Sequence, residues 1–240
     1  MFALEILATM LIGYAIGTIH PSYIISIIKK QDIKAQGTKN YGASNTFVVA
    51  GKGWGVLVAL LDIAKGAIAT LIPMWLFPDY YFLQYVCGCM AVIGHIFPFY
   101  LKFDGGKGFA AYIGMMLAIN WIYGLIALVG MIVVTIIINY RLAATFSIIF
   151  AFPIFVAAYY KEWIGFGCVL FTTAVIVYKH IPNIKHTIAG REVKVRDLLS
   201  GKKGFKDDKS LVRLEDNKET SVDSQDEKEE SSVHIEEEGS

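Results

Sequence analysis

The stretch Gly94-His95-Ile96-Phe97-Pro98-Phe99-Tyr100-Leu101-Lys102-Phe103-Asp104-Gly105-Gly106-Lys107-Gly108 bends the chain between two apolar segments. It sets a histidine, a proline, two lysines, an aspartate and a cluster of glycines into a sequence that is otherwise mostly hydrocarbon. Polar groups that close to a bilayer need a reason. Gly105, Gly106 and Gly108 tolerate positive φ and leave backbone N–H groups unobstructed, so the loop is suited to wrap an anion while Lys107 supplies the countercharge. Phosphate is the natural guest. Taken alone, the same residues also make a tight turn whose lysines snorkel to the headgroups.

Outward from this hinge, the distribution of apolar residues decides the class. At 55% apolar, a chain of 240 residues could be one large soluble domain or one membrane bundle. Runs 2–28, 56–77, 122–138 and 163–178 are nearly free of charge, and several are long enough to cross roughly 30 Å of hydrocarbon. The expectation is an all-α integral membrane protein, a bundle of seven transmembrane helices. The segments are 2–28, 53–77, 80–101, 109–120, 121–138, 142–160 and a last one that follows Glu162 and ends at Lys179. Segment 109–120 is short for a full span, so a five-helix reading with a re-entrant pair stands beside it. The first run lacks a basic leader and is too long for a cleavable signal, so it is expected to remain as a helix. His20-Pro21 should kink it.

Lysine and arginine collect after the first, third, fifth and seventh segments, whereas the alternate loops hold only Asp79 and Lys161-Glu162. By the positive-inside rule the N-terminus lies outside, the C-terminus is cytoplasmic, and three polar loops share the cytoplasmic face. The net charge of +1 conceals two populations. Residues 1–206, the membrane domain, carry 18 basic against 8 acidic side chains, while residues 207–240 carry 13 acidic against 4 basic. That tail is expected to be a disordered, cytoplasmic surface open to a protein partner. No nucleic-acid partner is expected.

The first polar loop offers Thr38, Lys39, Asn40, Ser44 and Asn45 with no carboxylate at its centre, a set suited to oxyanions; it also reads as turn formers with a helix N-cap at Ser44 or Asn45. Asp62 and Lys65, at i and i+3, should neutralise each other inside the bundle. His95 lies a few residues from the glycine hinge and is a candidate catalytic group. The third cluster runs from Lys179 through Pro182, Asn183 and His186 to Lys194. Asn183 is placed to face the other two loops, whereas Arg191, Lys194 and Arg196 read as headgroup anchors. Cys87, Cys89 and Cys168 fall in helices without redox-pair spacing and are expected to be inert. No three ligands converge, so no metal is indicated.

Several motifs occur together in order: Gly17-Thr18-Ile19 with Ser22-Tyr23, the 37–45 loop, Leu61-Asp62 with Lys65-Gly66, the Gly-His-x-Phe-Pro to Gly-Gly-Lys-Gly hinge, and Asn183-Ile184 leading to Gly190-x-Glu192. With these, residues 13–194 resemble the bacterial acyl-phosphate:glycerol-3-phosphate acyltransferases of the PlsY type. The resemblance implies a multi-pass protein of the bacterial cell membrane. It would move a fatty acyl group from acyl phosphate to the sn-1 hydroxyl of glycerol 3-phosphate, giving lysophosphatidate and phosphate, with no cofactor, metal or protein general base. It also implies catalytic roles for His95, Asn183 and Lys107, and substrate contacts from Thr38, Asn40, Ser44 and Asn45; Gly105, Gly106 and Gly108 join them as the anion-wrapping loop, and Lys39 and Lys102 as cations that compensate for the departures below.

The chain departs from that pattern at four positions. Lys39 replaces the second glycine of Gly-Ser-Gly-Asn, Val48 falls where the family carries an arginine, Asp104 replaces the first lysine of the hinge, and His186 replaces an arginine. Arginine holds phosphate through two bonds that valine cannot make. A second reading is therefore a divergent, non-catalytic member that binds or moves a phosphorylated lipid, or regulates a partner. A transporter is third, and the absence of visible repeats counts against it.

Overall fold

The computed structural model describes residues 2–190 except 38, together with 192, 194 and 196. Thr38, Arg191 and the acidic tail lie outside the described residues. Among those described, the chain forms α1 (Phe2–Thr18), α2 (Pro21–Ile28), α3 (Ala43–Val49), α4 (Lys52–Leu76), α5 (Leu83–Ile96), α6 (Phe109–Ile119), α7 (Trp121–Ile138), α8 (Arg141–Phe155) and α9 (Trp163–Ile188). A 3₁₀ turn, Phe99–Leu101, follows α5, and a π turn, Val156–Tyr160, extends α8.

Among the described residues, six units are long and apolar enough to cross a membrane: Ala3–Ile28, Lys52–Leu76, Leu83–Leu101, Trp121–Ile138, Arg141–Tyr160 and Trp163–Ile188. The remaining apolar helix, α6, has 11 residues, which at 1.5 Å per residue cover about 16 Å, half the hydrocarbon thickness.

At two of the proline positions, side chains take up backbone carbonyls beside the break. Between α1 and α2 the chain is interrupted at His20-Pro21, with Pro21 as the first residue of α2, a position where its missing N–H costs nothing. The carbonyl of Ile19 accepts from Lys65 Nζ at 2.6 Å, and that of Thr18 accepts from Tyr100 Oη at 2.5 Å. In α8, Pro153 cannot donate to the carbonyl of Ile149 four residues back. That oxygen instead accepts from Thr173 Oγ1 at 2.9 Å and Tyr112 Oη at 3.2 Å, joining α6, α8 and α9 in their common core. With no water in hydrocarbon, these bonds are what make the breaks tolerable.

The last helix corrects the sequence reading. α9 does not end at Lys179 but continues through Pro182 to Ile188. The residues past 179 are polar, so hydropathy falls while helical geometry persists. Pro182 removes a single intrahelical bond, and Thr187 Oγ1 donates to the Asn183 carbonyl at 3.0 Å.

α5 sits at the centre. It packs beside α1 along Gly13 and Gly17, where a Cβ would collide with the carbonyl oxygens of Cys87 and Ala91; the pair four residues apart lets two backbones touch as membrane helices do. Tyr85, Tyr112, Met115, Phe152, Val169 and Ile176 fill the adjoining core. α7 is peripheral, with Gly124 its only buried residue. Its ends are secured instead. Asn120 caps it by accepting from Tyr123 N at 2.8 Å and donates to Tyr160 Oη at 3.0 Å, while Arg196 Nη2 donates to the Ile136 carbonyl at 2.8 Å. Arg196 is thus a helix-end partner as well as a surface cation. The three cysteines are free thiols, with Cys87 and Cys89 buried.

Candidate active site

A cavity of about 380 Å³ opens where the loop after α2, the hinge, and the starts of α6 and α8 meet the end of α9. Its polar lining includes Asn40, Ser44, Asp62, His95, Lys107, Arg141, His180, Asn183, Thr187 and Glu192, and its apolar wall includes Ala59, Ile63, Phe109 and Ile113. One side can hold phosphoryl groups; the other accepts hydrocarbon.

The back wall is a buried charge relay across three elements. Asp62 and Lys65, one turn apart on α4, form a 2.9 Å ion pair with side-chain exposures of 1% and 6%. Asp62 Oδ1 also stands 3.3 Å from His95 Nδ1 on α5. The expected pairing of Asp62 with Lys65 therefore holds, and the same carboxylate faces one ring nitrogen of His95 at ion-pair distance, without the geometry of a hydrogen bond. The ring of His20 lies beside that of His95, with centroids 4.8 Å apart.

The hinge folds back over this histidine. Gly105 N donates to the Ile96 carbonyl and Gly106 N to the His95 carbonyl, both at 3.1 Å. These two N–H groups are therefore spent on the hinge itself and are not aimed at a ligand. Gly106 must be glycine, because a Cβ there would land on His95 Nε2. Of the three glycines, Gly108 alone takes positive φ, at 84°, and it lines the cavity. Lys107 then reaches α9, where its Nζ donates to Asn183 Oδ1 at 2.6 Å.

The other expected site residues divide. Asn40 and Ser44 line the cavity. Asn45 lies behind it, buried, donating to the carbonyls of Ile33 at 2.8 Å and Asn40 at 2.9 Å, so it shapes the loop from inside. The N-cap of α3 is Gly42, not Ser44 or Asn45. Lys39 adopts a positive φ of 51° in the turn before Asn40, and Lys102, at 55°, is exposed on the hinge; neither lines the cavity. Val48 and His186 are outside the lining as well.

Reasoning from sequence missed Arg141, His180, Thr187 and the buried Glu192 as cavity residues. Arg141 Nε is 3.7 Å from Glu192 Oε1, whose other oxygen accepts from Thr187 Oγ1 at 2.7 Å. Arg141, from the start of α8, thus brings a guanidinium to the cavity. His180 Nδ1 donates to the Ile176 carbonyl at 2.8 Å, which leaves Nε2 as its acceptor nitrogen.

Asp104, outside the spans, meets cations rather than repelling an anion. Its Oδ2 is 2.9 Å from Lys34 Nζ and its Oδ1 3.2 Å from Lys179 Nζ. Burial opposes its charge, but the hydrogen bond from Lys34 and the attraction of Lys179 outweigh that and hold its carboxyl below the ordinary aspartate value. Among the described residues, no group of three histidine, cysteine, aspartate or glutamate side chains is placed to hold a metal.

A family model described as glycerol-3-phosphate acyltransferase matches residues 7–190. Glycerol-3-phosphate acyltransferase 1 of Oceanobacillus iheyensis is 34% identical over 201 residues, covering 80% of this chain and 96% of its own. The glycerol-3-phosphate acyltransferase of Staphylococcus haemolyticus is 31% identical over 201 residues, with 80% and 98% covered. Among solved structures, the glycerol 3-phosphate form of PlsY, an integral membrane glycerol 3-phosphate acyltransferase, superimposes with a TM-score of 0.75 at 27% identity over 81% of this chain and 98% of that one. Its lysophosphatidic acid form gives 0.71 at 28% identity, covering 79% and 94%.

Proposed function

This chain belongs to the glycerol-3-phosphate acyltransferase family, and from that premise we propose how its cavity performs the reaction. The protein is an integral membrane acyltransferase that acylates glycerol 3-phosphate. The proposal concerns the donor, the residues and the setting.

The donor is acyl phosphate. The primary (sn-1) hydroxyl oxygen of glycerol 3-phosphate attacks the acyl carbonyl carbon, a new ester C–O bond forms, and the bond from that carbon to the phosphate oxygen breaks. The hydroxyl proton passes to a phosphate oxygen, so lysophosphatidate and inorganic phosphate leave with atoms and charge balanced. Lys107 and Arg141 counter the phosphoryl charges, and Asn40, Ser44 and Asn183 donate to their oxygens. His95, facing Asp62, holds the acceptor near the carbonyl, so most of the acceleration comes from proximity in a cleft that excludes bulk water. The acyl chain lies along Ala59, Ile63 and Ile113. Lys39 and Lys102, outside the lining, supply further attraction for phosphate, and Thr38 supplies a further hydroxyl.

The observation that carries this reading is the 2.6 Å contact of Lys107 with Asn183 in the same cavity as His95. Three stretches far apart in sequence converge there on a hydroxyl- and amide-lined pocket that also presents Lys107 and Arg141. The chain makes seven passes through the bilayer of a bacterial plasma membrane, six by the long units and one by α6 completed by the polar hinge at its start; the N-terminus is outside, and residues 207–240 form a separate cytoplasmic tail available to a protein partner. The test is purified protein supplied with acyl phosphate and glycerol 3-phosphate and assayed for lysophosphatidate and released phosphate. The proposal expects stoichiometric products; product formed from another acyl donor but not from acyl phosphate overturns it. Side-specific cysteine labelling should place positions 44, 107 and 183 in one compartment.

A further inference from the structure

Asp104 is the point where three separate parts of the site are tied together. Its carboxylate bridges Lys34, in the loop before Asn40, and Lys179 of α9, at 2.9 and 3.2 Å. Lys34 Nζ donates to the Asp104 main-chain carbonyl as well, at 3.0 Å. Neither lysine swings freely. Lys179 Nζ stands 5.3 Å over the Phe97 ring and Lys34 Nζ 5.7 Å over that of Tyr41.

The position of this bridge relative to the site gives it meaning. Lys179 and Asn183 are four residues apart on α9, one turn along the same face. Asp104 and Lys107 are three apart in the hinge. The two links, Asp104 to Lys179 and Lys107 to Asn183, therefore run side by side between the same two elements. Between them, Gly105 and Gly106 are bonded to the Ile96 and His95 carbonyls, so the hinge cannot stretch to let one link move without the other. Two lysines on one carboxylate sum to a single positive charge, which removes the repulsion an aspartate would otherwise offer an incoming phosphoryl group.

We propose that Asp104 is a positioning residue: clamped by Lys34 and Lys179, it holds the first polar loop, the hinge and α9 in the register at which Lys107 meets Asn183. This rests on the reading of the cavity as a phosphoryl-binding site. The clamp and simple electrostatics predict opposite signs. Deleting a negative charge near the cavity, by itself, strengthens phosphate binding and lowers KM; releasing a clamp lowers kcat/KM through misplacement of the groups that grip the substrate.

The experiment measures kcat and KM for glycerol 3-phosphate in wild type, Asp104→Asn, Asp104→Glu and the charge-exchanged triple variant Asp104→Lys, Lys34→Glu, Lys179→Glu. Thermal stability is followed in a double-mutant cycle of Asp104→Asn with Lys179→Met. The clamp predicts about a 10-fold loss of kcat/KM in Asp104→Asn, as expected for a small displacement of substrate-gripping groups, substantial recovery in Asp104→Glu, recovery of melting temperature but not of KM in the exchanged triple, whose net charge there is −1, and non-additive melting shifts. An Asp104→Asn enzyme with unchanged or lower KM and additive melting shifts overturns it. Should wild type yield no lysophosphatidate, the functional reading fails, while the melting cycle still decides whether the clamp exists.

Discussion

Lys65→Met, paired with the double substitution Asp62→Leu, Lys65→Met, tests whether the relay behind the cavity serves stability or chemistry. In the native protein Lys65 Nζ is 2.9 Å from Asp62 Oδ1 and donates to the freed Ile19 carbonyl at 2.6 Å. Removing the lysine strands a carboxylate that is 1% exposed and leaves the Ile19 carbonyl at the α1–α2 break without that donor. Breaking a buried pair from one side costs about 3–5 kcal/mol, whereas replacing both partners with apolar side chains of similar volume is often neutral. At about 2–4 °C per kcal/mol for a chain of this size, the single variant should melt on the order of 10 °C lower. The double variant should recover the part due to the stranded carboxylate, while the Ile19 carbonyl still lacks its donor. Its turnover should not recover, because His95 has lost the carboxylate 3.3 Å from its Nδ1. Melting followed by scanning fluorimetry in detergent, with turnover measured on the same samples, separates the two. A single variant as stable as wild type, or a double variant with full turnover, would refute the reasoning.

Lys107→Ala should reduce turnover by about 10²–10³-fold, the usual cost of losing one charged transition-state donor, with little change in melting temperature. Gly106→Ala places a methyl group on His95 Nε2 and should lower kcat more than 10-fold by displacing the ring, about the penalty of a 1 Å misplacement, while Gly130→Ala, whose Cβ meets nothing within 4 Å, should be silent. The depressed carboxyl of Asp104 contributes stability that is fully present above the ordinary aspartate value near 3.9 and is lost as pH falls through its lower folded value. The stability difference between wild type and Asp104→Asn should accordingly be flat above about pH 5 and shrink below pH 4, read by melting across a buffer series. Truncation after Lys206 should leave the specific activity of purified protein unchanged.

The membrane-crossing units were legible because hydropathy and length report directly on burial in hydrocarbon, and the His20-Pro21 break because proline chemistry is local. Lys107, His95 and Asn183 were legible as polar residues with no business beside a bilayer. Arg141 and Glu192 were not, since one reads as an ordinary helix start, the other as part of a charged surface, and their partnership spans 51 residues. The end of α9 was missed because apolarity and helicity part company there. The backbone N–H groups of Gly105 and Gly106 were assigned to a ligand because sequence shows that a donor is unobstructed but not which carbonyl lies opposite it. Asp104 is the sharpest case: as a letter it signals repulsion, and only its neighbours Lys34 and Lys179 reverse the sign.

The brevity of α6 sets the depth at which all this happens. It is 11 residues beside the 18 of its successor α7, a shortfall of about 10 Å in rise. The two helices meet at Asn120, so the hinge at the other end of α6 follows a rise about 10 Å shorter than that of α7. On the proposed reading, that shortfall sets the polar wall of the cavity below the ends of the longer helices, where a water-soluble acceptor comes down to it and an apolar acyl chain enters from the side along Ala59, Ile63 and Ile113.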